Sequence, residues 1–453
     1  MLTAALLGGI AARRLPVAVW WEENVIQNAT GLPFTLGSVE YHRWNLRKYG
    51  QVELPHPNTG QKFVTFPEVE LRHSKSDTSK SSSLLSLFLP FWDDKQTFPK
   101  LSFSSVSVEI SPKAVASDIR ILGNMLLDQF GDRFSARKTN LSFHCDELEI
   151  SVADSLPDMR FKLTFLEGTF LADETECKLE CTFSLQDNPS RDPVRFTIRR
   201  KKQNLQNEQA QTAEPELIVE LQTDETEVPV RFLALFFPTW NSLGPKAFFH
   251  GTVRGESSRK DYWTITFEDM GIGNADLQTL GAELTPYPLS GETQIGIASA
   301  RIETDGTRTR FLDASGWIRI VNGAIDRRLL TRLVEDWQLS PMPNDAMNSL
   351  YQNNLDVLKN IPVDQAKIPI ADASLSVLLG KDGVLLRSNE KGGFIFASDR
   401  ERYYKYHLPK QMGTTAISYS AIFGTFSPPN ADVLSLTPQT QKLIQHLPYS
   451  PPR

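Results

Sequence analysis

Seven histidines and three cysteines are the residues of this 453-residue chain with the widest chemical repertoire. Their spacing supports little chemistry. The histidines, at positions 42, 56, 73, 144, 250, 407 and 446, are scattered through polar or turn-like surroundings. A metal site or a general base needs partners held at ligand or hydrogen-bond distance. His144 sits between Phe143 and Cys145, so in a strand it points to the polar side. The carboxylate pairs Glu147/Glu149 and Glu174/Glu176 fall on outward strand positions or in turns, where a solvated edge explains them better than acid–base work. Cys177 and Cys181 on one strand would share a face about 13 Å apart, at ~3.3 Å per residue. A disulfide needs Cα atoms within about 7 Å. A bridge from Cys145 to one of them across neighbouring strands stays open, and buried free thiols are the preferred reading. No GxGxxG unit, P-loop, GxSxG elbow or HExxH helix is present. The residues imply no metal, no cofactor and no catalytic centre; a hydrolase would rest on scattered carboxylates alone.

Composition narrows the classes further. A net charge of −6 argues against nucleic acid as a partner, because such binders concentrate basic residues on one face. The basic run Arg199–Lys202 ends a strand before a polar stretch and reads as a solvated loop. Hydrophobic content of 40% and charged content of 23% are ordinary for a folded soluble protein. Ser74–Ser83 is a serine-rich loop with no base placed near it.

The strongest signal lies in the elements that would have to position any site. In Cys177–Leu185, residues Cys177, Leu179, Cys181, Phe183 and Leu185 share one parity, and Lys178, Glu180, Thr182 and Ser184 share the other. Side chains of a strand alternate between faces, so the pattern describes a sheet with one apolar and one polar face. Such segments recur from about Gly37 to about Ala397. Among them are Phe34–Tyr41, Gln51–Leu54, Phe63–Leu71, Leu101–Ile110, Leu141–Cys145, Leu148–Val152, Phe161–Phe165 and Thr169–Leu171. Connections such as DSLPD and QDNPSRD are too short for a crossover helix, which predicts antiparallel neighbours. Asn322-Gly323 is expected to turn the chain, as is the Asp-Gly of LGKDGV at Leu379–Val384. Helices are expected at Val17–Thr30, at 112–130 behind a Ser111 cap, within Pro229–Leu243, at Ile325–Trp337 and at Asp345–Asn360.

The expected fold is therefore mainly β: an elongated, twisted antiparallel sheet forming a gutter-like groove, with a few short amphipathic helices. Its organisation reads as a partial membrane anchor and membrane-proximal helix over 1–30, and N-terminal strands plus the 112–130 helix over 31–140. An antiparallel meander follows over 141–300, then C-terminal strands and helices over 301–426, and an irregular tail over 427–453. About 20 strands in one sheet would extend roughly 95 Å at 4.7–4.9 Å per strand. Two sub-sheets divided near the serine-rich loop or near Pro229 fit equally well.

Helices total well under a third of the chain on this reading, too few to cover the apolar face. Exposed apolar area of several hundred Å² normally marks a binding site. The expected lining is Phe161, Leu163, Phe165, Leu179, Phe183, Phe196, Ile198, Leu217, Val219, Trp263, Ile265 and Phe267. A closed core would give the same alternation, so a structural or scaffolding protein is the alternative.

The N-terminus adds a direction. Met1–Ala12 is apolar, but it is shorter than the ~20 residues a spanning helix needs and lacks the basic start of a signal peptide. Arg13 and Arg14 follow, then Leu15–Trp21 with interfacial aromatics. The stretch reads as the trailing half of a membrane anchor, with a buried or surface helix as the alternative. From Trp20 to Leu71 the chain carries a helix, TGLPFTLGSVEYHRWN at Thr30–Asn45, a strand pair and FVTFPEVEL at Phe63–Leu71. From Tyr287 to Trp337 it carries YPLSGETQIGIASARI and ASGWIRIVNGAIDRRLLTRLV. Both stretches, about a quarter of the chain, resemble the AsmA-like family of envelope proteins, which includes TamB and the bridge-like lipid-transfer proteins. The resemblance implies a periplasmic protein tethered to the inner membrane by its N-terminus. Its sheet would carry a phospholipid or similar membrane lipid, alone or with an envelope protein partner, and support envelope and outer-membrane biogenesis without catalysis. The anchor is incomplete and the chain is much shorter than members that bridge two membranes, so spanning an envelope alone is not expected.

Overall fold

A computed structural model describes residues 19–24, 27, 33–43, 46–56, 59–72, 100–110, 139–152, 160–172, 176–185, 192–201, 217–234, 238–259, 262–304, 309–341, 358, 365–388, 394–397, 403–408 and 415–426. Residues 1–18 with the apolar run Met1–Ala12, the serine-rich stretch 74–83, the helix expected at 112–130, the polar stretch that follows Lys202 and the tail 427–453 lie outside the described residues. So does the helix expected at 345–360, apart from residue 358, which is helical. The chain is mainly β, as the alternation predicts, and divides into two compact units. One comprises Met1–Thr226 with Glu256–Lys260, the other Glu227–Gly255 with Asp261–Arg453.

In the first unit helical residues 19–24 precede nine strands. These are β1 (Thr35–Arg43), β2 (Leu46–Pro55), β3 (Lys62–Arg72), β4 (Lys100–Ile110), β5 (Thr139–Val152), β6 (Arg160–Ala172), β7 (Glu176–Leu185), β8 (Val194–Lys201) and β9 (Leu217–Gln222). Each pairs with the next in sequence. The HPNTG turn between β2 and β3 forms as expected: Gly60, at φ +69°, donates its N–H to the His56 carbonyl at 2.8 Å. All pairings are antiparallel except β4–β5, which is parallel. The antiparallel expectation rested on short connections, and residues 111–138 are long enough for the crossover a parallel pair requires.

The second unit contains β10 (Val228–Pro229), α1 (Val230–Ala234), a 3₁₀ turn at Pro238–Leu243, β11 (Phe248–Arg259, as far as Gly255), β12 (Tyr262–Asp276), α2 (Leu277–Leu284), β13 (Leu289–Thr304) and β14 (Thr309–Asp326). Then follow α3 (Arg327–Asp336), β15 (Ser340–Pro341), β16 (Lys367–Gly380), β17 (Gly383–Ser388), β18 (Phe394–Ala397), β19 (Tyr403–His407) and α4 (Tyr419–Phe426). Strands β12, β13, β14 and β16 pair antiparallel in that order, and β17 and β18 share the far edge of β16. The Asp-Gly hairpin joins β16 to β17, with Gly380 opposite Gly383. Both α2 and α3 start directly at a strand end, behind an aspartate. Asp276 accepts from the N–H of Gln278 at 2.9 Å, and Asp326 from that of Arg328 at 2.8 Å, which satisfies helix-start donors that have no partner within the helix. Helix α3 buries Leu329, Leu330 and Leu333 against Ile325, Ile368 and Ile370 of the sheet.

Several expected strand pairs are in fact single long strands. Leu141–Cys145 and Leu148–Val152 belong to β5, Phe161–Phe165 and Thr169–Leu171 to β6, and Asn322-Gly323 lies inside β14 rather than turning it. The parity breaks that suggested turns lie inside continuous strands, and most strands that carry them hold a residue of positive φ. Gln51, Phe165, Asp269, Asn274 and Asn322 sit inside strands at φ between +48° and +53°. A residue there reverses the alternation. Tyr49 and Val52, or Phe267 and Met270, would face opposite ways in a regular strand, yet all four are buried. These positions keep long strands apolar on one face.

Candidate functional site

Of the histidines, His56 and His144 make contacts within the first unit. The His56 ring nitrogen Nδ1 accepts from the Thr59 N–H at 3.2 Å, and its ring meets Phe63 edge-on. His144 lies 3.0 Å from Asp146 and 3.7 Å from Glu167 on the polar face. Glu147 and Glu149 are not a solvated edge: they lie in the sheet interior, bridged diagonally by Lys162 at 3.2 Å and Arg160 at 3.5 Å from β6. Among the described residues no group of three metal-ligating side chains converges. None of Cys145, Cys177 and Cys181 forms a disulfide, and all three are buried. Burial pushes the Cys145 thiol up to about 11 and that of Cys181 to about 12, the direction that keeps a thiol inert.

What the sheet does assemble is a pair of opposed surfaces. Directly opposite residues of neighbouring strands share a face. Across the first unit one row reads Leu71, Leu101, Phe143, Gly168, Cys181, Phe196 and Leu221 from β3 to β9. The next row, displaced by one residue, reads Glu40, Lys48, Glu70, Ser102, His144, Glu167, Thr182, Arg195 and Gln222 from β1 to β9. From β3 to β9 the first is apolar, continuing at β2 into Arg47 opposite Leu71, and the second is polar throughout. On the polar face Lys48 bridges Glu68 and Glu70, each at 2.7 Å, and these hydrogen bonds raise its ammonium above the usual lysine range.

The expected lining residues divide by position. Leu179, Ile198 and Val219 stand side by side across β7, β8 and β9, with Phe170 continuing the row on β6. Phe196 occupies the adjacent apolar row, Leu217 stands opposite Arg200, and Phe183 stands opposite Val194. Phe161 and Leu163 face Ile150 and Leu148 of β5. Phe161, Leu163, Phe183, Ile198 and Leu217 are buried, while Leu179, Phe196 and Val219 are half-buried. Phe165 is placed elsewhere: at φ +53° it is 69% exposed, because the bulge it forms turns it away from Phe161 and Leu163. Trp263, Ile265 and Phe267 belong to the other unit, where they are buried opposite Thr304, Ile302 and Ala300. Trp240 of the 3₁₀ turn stacks on Phe267 at 5.5 Å.

The second unit also carries apolar residues that the sequence reading left out. Ile272, Ile295, Ile318 and Leu375 form one row across β12, β13, β14 and β16, and Met270, Ile297, Gly316 and Val377 form the next. Of these, Ile295, Ile297, Ile318, Leu375 and Val377 are only half-buried. Their signal was present as alternation in QIGIA and GWIRIV.

At the start of the first unit the helical residues dock on β1 and β2. Glu22, 1% exposed, lies 3.3 Å from the Arg47 guanidinium, and the Tyr49 hydroxyl donates to it at 3.4 Å. Burial, then the Glu22 charge, pushes the Tyr49 phenol up to about 12. Glu23 accepts the Leu36 N–H at 2.6 Å, and the Gln27 amide donates to the Phe34 carbonyl at 2.8 Å. These bonds occupy backbone groups that an edge strand otherwise leaves open. Trp20 is 63% exposed beside them. Among the described residues no helix is long and apolar enough to cross a membrane. No protein-family model matches the chain, and neither does any curated protein.

Proposed function

We propose that this is a non-enzymatic lipid-binding protein of the cell envelope, using the apolar face of its sheets to hold acyl chains. The observation that carries the reading is the apolar row from Leu71 to Leu221, unbroken across seven strands and beside a row that is polar throughout. Half-buried Phe143 and Phe196 in that row, and half-buried Ile295 and Ile318 in the second unit's sheet, leave apolar surface for a ligand. Each methylene withdrawn from water onto such a surface contributes about 0.8 kcal/mol, and head groups would stay at the polar rim. The exposed Trp20, within the Leu15–Trp21 segment that follows the apolar Met1–Ala12, supports a membrane tether, and the resemblance to AsmA-like proteins, whose members act in envelope biogenesis, points to the periplasmic side of the inner membrane.

The test is extraction of the purified full chain followed by mass spectrometry of lipids, paired with uptake of a fluorescent phospholipid. Co-purifying phospholipid and saturable uptake are expected; absence of both overturns the proposal. A second reading, a scaffold with a closed core, draws on the near-complete burial of Phe161, Leu163, Phe183 and Phe267.

A further inference from the structure

The polar face of the second unit's sheet holds an unusual floor. Gly271 of β12 and Gly296 of β13 are direct cross-strand partners, and Gly296 is in turn opposite Trp317 of β14. A Cβ on Gly296 would collide with Nε1 and Cε2 of the Trp317 indole, and one on Gly271 with the His250 ring of β11. One step along β12, a Cβ on Gly273 would collide with the Phe248 ring. Three rings from the two flanking strands therefore lie down over glycines of the two central strands. Covering the glycines explains why the rings are flat. It does not explain why the largest, Trp317, keeps 42% of its surface in water, with Leu378, 45% exposed, the other exposed large apolar residue on that face. Two residues either side of it on β14 are Ser315, paired with Ser299 at 2.9 Å, and Arg319, which forks onto Asp372 at 3.1 and 3.0 Å.

From this arrangement we infer that Trp317 and His250, on their glycine floor, form a platform that stacks the pyranose rings of a neutral glycan. A flat, rigid aromatic surface offers the negative face of its π-system to the polarised C–H groups of a sugar ring. The flanking serines and the Arg319–Asp372 pair offer donors and acceptors for hydroxyls. The charged Arg319–Asp372 pair and the serines beside Trp317 are a poor lining for a lipid tail. A nucleic acid, which would also stack, needs a track of cations for its phosphates, whereas Asp372 neutralises Arg319 here. The open, flat form suits a polymer rather than a small molecule, which favours a concave pocket. The platform lies on the face opposite Ile318, so it stands or falls independently of the lipid reading.

The test is calorimetric titration of the full chain with chitohexaose and with cellohexaose. Binding of at least one is expected, weakened about ten-fold by Trp317→Ala, largely retained in Trp317→Tyr, and unchanged in Ile318→Glu on the other face. Because Trp317→Ala uncovers Gly296 and can lower stability, a second measurement uses the wild-type chain: the bound hexasaccharide should protect Trp317 from N-bromosuccinimide oxidation, read by peptide mass spectrometry. The inference is overturned if the wild-type chain binds neither sugar, if oxidation of Trp317 is unaffected by a bound sugar, or if the Trp317-dependent ligand is oligothymidylate instead.

Discussion

The Glu22 carboxylate and the Arg47 guanidinium meet at 3.3 Å with 1% and 11% of their side chains exposed, so one ion pair pins helical residues 19–24 to β2. Removing one partner of a buried pair leaves the other charge without compensation, at a cost of about 3–5 kcal/mol, whereas replacing both with apolar groups is often neutral. Glu22→Ala should therefore lower unfolding free energy by roughly 3 kcal/mol, and Glu22→Leu combined with Arg47→Met should recover most of it. Urea denaturation followed by circular dichroism reads both. Equal losses in the two variants would mean that contacts other than the pair hold the helix.

Tyr49 reports on the same cluster through pH. Burial and the neighbouring Glu22 charge raise its phenol to about 12 in the folded chain, against about 10 when unfolded. The folded state thus holds the proton more tightly, and this contribution is whole below about pH 10 and lost as pH rises toward 12. Stability of the wild-type chain should fall more steeply across that interval than that of Tyr49→Phe. Parallel slopes would place the phenol in water.

Phe165 offers a substitution whose sign is unusual. At φ +53° a residue with a side chain is strained, at about 1–2 kcal/mol, and 69% of Phe165 is exposed. Glycine relieves that strain and loses roughly 0.5–1 kcal/mol to backbone entropy. Phe165→Gly is expected to stay within about 1 kcal/mol of wild type, while Phe183→Ala, which empties a buried site, should cost ~3–5 kcal/mol. A loss at Phe165 as large as at Phe183 would refute the bulge.

That position also marks where the sequence stopped being readable. Alternation in Cys177–Leu185 identified both faces of β7 correctly, because no bulge interrupts it. In β6 the same reading carried Phe161, Leu163 and Phe165 onto one wall and took the parity break after Phe165 for a turn. A bulge and a turn leave the same trace in a one-dimensional pattern, since each shifts parity by one residue. Only the register, with Cys145 opposite Leu166 and Leu148 opposite Leu163, separates them. The Trp317 platform was illegible for a different reason: Gly271 and Gly296 acquire meaning only from the strands beside them. The parallel β4–β5 pair likewise depends on a connection whose path alternation does not encode.

The thiols give a direct check on burial. Cys145 and Cys181 are raised to about 11 and about 12, chiefly by burial, and Cys177 is fully covered. The reactive thiolate is then scarce at neutral pH. Ellman's reagent at pH 7.5 should label none of the three in the native chain within minutes and all three in urea. Rapid native labelling of any one would open that part of the apolar face to solvent.

The apolar face itself separates lipid binding from a closed core by comparing two phenylalanines of neighbouring strands. Phe183 is 4% exposed, and a carboxylate there would be buried without a partner, so Phe183→Glu should unfold the unit under either reading. Phe196 is half-buried in the row shared by Cys181 and Leu221. If that row holds acyl chains, Phe196→Glu should keep native circular dichroism and lose at least most of the co-purifying lipid, because the charge can reach water in the free protein but not beneath a bound chain. If the row is an interior, Phe196→Glu should instead melt the unit as Phe183→Glu does. Circular dichroism and lipid mass spectrometry on the same preparation distinguish the two outcomes, and a folded Phe196→Glu that retains its full lipid content would exclude the row as the binding surface.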